Sequence, residues 1–67
     1  MIQLMQKIRS EKNYMWIRAV KQLDGLFMLV DNNRDRLSYD PLLAFKKRLE
    51  NGERTYELYA EIMTFTF

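Results

Sequence analysis

The sequence predicts a small α+β domain, an antiparallel sheet of three or four strands packed against one helix at about 41–51, with an all-α arrangement as the alternative. Three observations carry the prediction. Asp40-Pro41 and Asn51-Gly52 bracket a short amphipathic stretch. Residues 55–67 are rich in β-branched and aromatic side chains, and Leu26 to Val30 is an apolar run set between turn signals.

The helix at 41–51 is the plainest element. Asp40 is a favoured N-cap residue, and a proline at the first helical position gives up no needed hydrogen bond. Leu42, Phe45 and Leu49 recur at i, i+3 and i+7 and share a face toward a core. Gly52 supplies the left-handed position that ends a helix.

Beyond it, Thr55, Tyr56, Tyr59, Ile62, Thr64, Phe65, Thr66 and Phe67 favour a pleated surface. Tyr56, Leu58, Ala60 and Ile62 alternate, then the apolar phase flips to Met63, Phe65 and Phe67, which a β-bulge near Ile62–Met63 would explain. The rival is a helix, because Tyr56, Tyr59, Ala60 and Met63 also stand at helical spacing.

Leu26 to Val30 reads as a buried central strand between Asp24-Gly25 and Asp31-Asn32-Asn33, with residues 34–39 pairing back on it. Tyr14 to Val20 reads as the preceding strand, joined to it by a hairpin at Asp24-Gly25, with 10–13 as an earlier turn. Against this, Met5, Ile8, Met15, Trp16, Ala19 and Leu23 also fit one long amphipathic helix interrupted only at Lys12.

Sixty-seven residues make a single compact domain, 1–67, near the lower limit for a core without staples. No cysteine is present, so neither a disulfide nor a thiolate zinc site assists, and a reducing, cytoplasmic setting is expected. The longest apolar stretch has five residues, far short of the ~20 needed to span a bilayer. The N-terminus lacks the cleavage pattern of a signal peptide. No membrane association is expected.

Catalysis is poorly provided for. Without histidine or cysteine, Ser-His-Asp and Cys-His nucleophiles and His-ligated zinc are excluded, and two isolated glycines make no phosphate-cradling loop. Asp31, Asn33 and Asp35 match the first three ligands of a calcium loop, but Arg36 stands where its glycine belongs and Leu42 where its bidentate glutamate belongs. The expectation is a non-enzymatic binding module, regulatory or inhibitory, with no catalytic residue, metal, cofactor or small-molecule substrate.

The net charge of +2 and pI near 9.1 permit nucleic acid as the partner. On a strand, Tyr14, Trp16 and Arg18 would share one face, suited to stacking bases and neutralising phosphates. Lys21, Arg34, Arg36, Lys46, Lys47 and Arg48 would extend that surface. The alternative partner is a protein, bound along a 55–67 strand edge that presents Phe65 and Phe67 with the neighbouring Tyr59, an edge that would also suit a homodimer.

Met15, Arg18, Leu23-Asp24, Leu26, Asn33, Leu37-Ser38, Leu43 and Phe45 give residues 15–45 a pattern that resembles the Hha/YmoA family of small nucleoid-associated modulators. The resemblance implies an all-helical fold and binding to the oligomerising region of the H-NS silencer, partly through acidic side chains. Asp24 is the position it carries over as partner-binding. The chain departs from the family at Phe27 and Met28, where a polar helix surface is expected. It departs again at Pro41 and at Asn51-Gly52, which fall within and shorten the third helix.

Overall fold

A computed structural model describes all residues, 1–67. It contains four helices and no strand: α1 (Ile2–Ser10), α2 (Tyr14–Asn32), α3 (Asp40–Glu50) and α4 (Tyr56–Thr64). The expected α+β sheet is therefore corrected to the all-α alternative. The stretches 14–20 and 26–30 are two ends of one continuous helix, and 55–67 is a helix followed by an extended tail.

α1 and α2 part at Lys12, which adopts a left-handed φ of 55°. This is the residue at which the long-helix pattern was interrupted. Asn13 then caps α2, its side-chain oxygen accepting the Met15 N–H at 3.1 Å. Asp24-Gly25 makes no hairpin. Gly25 sits mid-helix without a positive φ, and the helix runs on because its neighbours fill both the buried and the exposed faces continuously.

α3 starts one residue earlier than expected. Tyr39 occupies the capping position without a side-chain bond to the helix end, while the Ser38 hydroxyl accepts the Asp40 N–H at 3.1 Å. Pro41 falls in the first turn, where its missing N–H costs nothing. The stop is as anticipated: Gly52 takes φ 94°, its N–H reaches the Leu49 carbonyl, and the Glu53 N–H reaches that of Arg48. These two bonds form a Schellman motif.

α4 is opened by Thr55, whose hydroxyl accepts the Leu58 N–H at 3.2 Å. Leu58 and Ile62, one turn apart, are fully buried. Thr64 Oγ1 donates back to the Ala60 carbonyl, and Phe65 leaves the helix with an extended backbone.

The core consists of twelve apolar side chains, half of them from α2: Trp16, Ala19, Val20, Leu23, Leu26 and Val30. α1 adds Leu4 and Ile8, α3 Leu42 and Leu49, and α4 Leu58 and Ile62. α2 packs against all three other helices. No polar or charged residue is buried, and no buried side-chain donor or acceptor lacks a partner. The fold therefore incurs no desolvation penalty of that kind.

Two ion networks tie the loops down. Arg54 bonds both carboxylate oxygens of Glu11 at 2.9 and 2.7 Å, so the end of α1 is joined to the α3–α4 turn. Its guanidinium also lies 5.7 Å from the Trp16 ring centre. Arg48 grips Glu53 in bidentate fashion at 3.0 and 2.5 Å and reaches Glu61 on α4 at 2.7 Å.

Candidate protein-binding surfaces on α2

The 100° advance per helical residue divides α2 into four rows. One row is the core. Opposite it, Tyr14, Arg18, Lys21, Gly25, Met28 and Asn32 follow one another at i+3 and i+4, and every one is exposed. On one flank lie Asp24, Phe27 and Asp31. On the other lie Leu26, Leu29 and, just past the helix, Asn33.

The helix dismantles the face expected of a strand. Tyr14 (81% exposed) and Arg18 remain together, but Trp16 points to the opposite side and is 2% exposed. Its ring meets Tyr59 edge to face, with centroids 5.9 Å apart. Trp16 is a core residue in this structure, with no face free for a base. Lys21 joins Tyr14 and Arg18 on the exposed stripe, while Arg34 and Arg36 stand exposed in the α2–α3 loop.

The cluster at 46–48 is split. Lys47 is exposed, Lys46 is half-buried beside Met1 to Leu4 and Glu50 in a 240 Å³ depression, and Arg48 is committed to two glutamates. Those glutamates raise the pKa of the Arg48 guanidinium above its ordinary value. The hydrogen bond from Arg48, helped by that from Thr55, holds the Glu53 carboxyl below the usual range. The bond from Arg54 does the same for Glu11.

The protein-binding residues expected on a strand edge have no edge to occupy. Tyr59 is half-buried between Trp16 and Tyr56. Phe65 is half-buried, edge to face with both Phe45 and Phe67. Even so, Phe65 and Phe67 do meet a surface feature. With Thr66 they line an open groove of about 450 Å³, together with Leu26 and Leu29 of α2, Leu37 of the loop, Asn33 and Arg36. Leu29 and Phe67 are 45% and 47% exposed within it.

The sequence reasoning missed this groove. Leu26 and Leu29 were assigned to a buried strand, whereas a helix turns Leu29 outward. Read with a helical period, Leu26, Leu29 and Asn33 at i, i+3 and i+7 would have marked the row.

On the opposite flank, Asp24 is half-buried and Asp31 exposed, and neither belongs to an ion pair. Between them Phe27 stacks on Tyr39, with centroids 5.9 Å apart and planes at 30°. The Tyr39 hydroxyl donates to the Asp31 carboxylate. Two acceptors two helical turns apart thus frame an aromatic pair, a combination suited to a basic, partly apolar partner surface.

No group of three acidic side chains is placed to hold a metal ion, and no helix is long and apolar enough to cross a membrane. The chain matches no protein-family profile, no curated protein and no solved structure.

Proposed function

We propose that this chain is a non-enzymatic protein-binding module, and that it acts as a Hha/YmoA-like modulator attaching to the oligomerising region of a nucleoid-associated protein. The observation that carries the reading is the acidic flank of α2, where Asp24 and Asp31 lie two turns apart with no cation of the chain paired to either. The resemblance in residues 15–45 carries over the first of these, and it implies an all-helical architecture of the kind described above. The second lies seven residues on, on the same flank.

The test is a titration of the purified chain against the isolated oligomerising region of an H-NS-type protein. Binding weakened about tenfold or more by Asp24→Lys, and further by adding Asp31→Lys, is the expected result. No binding, or binding indifferent to both substitutions, would overturn it.

Nucleic acid remains a second reading, on one observation: Tyr14, Arg18 and Lys21 form an exposed aromatic-basic stripe free of ion pairs. A mixed-sequence oligonucleotide should then bind at low ionic strength, with a salt slope that falls when Arg18 and Lys21 are replaced. Failure to bind in dilute salt removes this reading.

A further inference from the structure

We infer that the groove at the C-terminal end of α2 receives an amphipathic segment of a partner protein that carries large apolar side chains beside a carboxylate, and that Arg36 selects that carboxylate. The inference rests on the protein-binding reading and adds the chemistry of a segment held on the flank opposite Asp24.

Five of the groove's eight lining residues are apolar, and Arg36 is the only charged one. Leu26, Leu29, Leu37, Phe65 and Phe67 supply the walls. Leu29 and Phe67 are each nearly half exposed although both are large and apolar. Two large apolar side chains left nearly half exposed in one depression give the apolar groups of another molecule a place to pack. Of the polar groups present, the Asn33 carboxamide is partly engaged, donating one N–H to the Leu29 carbonyl at 2.9 Å. Arg36 is not: it is exposed and takes no part in the ion pairs of Arg48 and Arg54 that occupy Glu11, Glu53 and Glu61. A guanidinium without a carboxylate in the lining of a mostly apolar groove is complementary to an apolar segment bearing an acid.

The groove's shape and the fold decide between kinds of occupant. A small anionic amphiphile needs most of its surface enclosed to bind well, and this groove is open along one side. The chain has no strand, hence no sheet edge for an extended peptide to lengthen. An amphipathic helix laying apolar anchors at i, i+3, i+4 and i+7 into such a groove is a mode that fits it.

The experiment uses the full chain and a fluorescein-labelled amphipathic peptide with leucines at i, i+3, i+4 and i+7 flanked by glutamates, together with its counterpart in which lysine replaces each glutamate. Anisotropy should show the acidic peptide binding the wild type roughly tenfold or more tightly than the basic one. Arg36→Glu should reverse that order. Leu29→Ser, a change at a half-exposed position, should weaken the acidic peptide. Asp24→Lys, on the other flank, should leave its binding as it was.

Equal binding of the two peptides, binding of neither, or an order unmoved by Arg36→Glu would overturn the inference. So would displacement of the acidic peptide by an oligonucleotide but not by excess unlabelled peptide. The same protein titrated with the oligomerising region separates the two proposals, because partner binding lost on Asp24→Lys survives a failure of the groove.

Discussion

The ring of Trp16, on α2, meets that of Tyr59, on α4, at 83° with 5.9 Å between centroids, and the Arg54 guanidinium covers the indole 5.7 Å from its centre. One buried side chain thus joins the long helix, the last helix and the turn that leads into it. Trp16→Ala would remove the largest core side chain and leave a cavity, at a cost of about 3–5 kcal/mol. A chain of this length has a total stability of roughly 3–10 kcal/mol, so the variant should be largely unfolded or close to it. Trp16→Phe should retain the fold with a lowered urea midpoint. Far-ultraviolet circular dichroism during urea titration reads both.

Gly25 gives the opposite prediction. It lies mid-helix without a positive φ, and a Cβ built there would meet nothing within 4 Å. Neither backbone nor packing in this chain calls for glycine. Gly25→Ala should therefore raise stability by about 0.5–1 kcal/mol, visible as a higher urea midpoint with an unchanged slope. A destabilising result would contradict this prediction.

Those two residues also show what the sequence could and could not disclose. The helix at 41–51 was legible because its signals are local: Pro41 at the start, Gly52 at the stop and Leu42 and Leu49 on one face. α4 was misread because positions four apart coincide in both periods. Leu58 and Ile62 satisfy an alternating strand and a helix equally, and the tyrosines and threonines around them tipped the reading to strand. Gly25 beside Asp24 resembled a hairpin, although the apolar spacing on either side of it continues without a phase break. Of the site, Asp24 came from family resemblance. The groove depends on a tail and a loop meeting α2, which no local pattern encodes.

Thr55 is the cap that decides α4. Thr55→Ala would leave the Leu58 N–H without its side-chain acceptor, and should cost about 1 kcal/mol. Thr55→Ser, which keeps the hydroxyl, should recover most of that loss. Thermal unfolding of the three proteins side by side is the measurement.

Acid should loosen the turns before it unfolds the core. Glu11 and Glu53 have carboxyls held below their ordinary value of 4.5 in the folded state by hydrogen bonds from Arg54 and Arg48. A depressed folded pKa means that the unfolded chain binds protons first as pH falls. The stabilisation is thus complete above about 4.5 and is lost as pH drops through the lower folded values. Replacing both residues by glutamine should flatten this acid limb of the stability–pH curve while sparing the plateau's salt-insensitive part. Urea midpoints between pH 2 and pH 7, roughly the span over which these carboxylates titrate, provide the check.

The division of α2 into a buried row, an exposed row and two mixed flanks separates two kinds of selection pressure. Residues that hold the chain together face one way, and those free to meet another molecule face the other ways. Substitutions at Arg18, Lys21 or Met28 can accumulate without a folding toll, since none contributes to the core. Such a scaffold can change its partner by substitution along the exterior of a single helix while the twelve core side chains stay as they are.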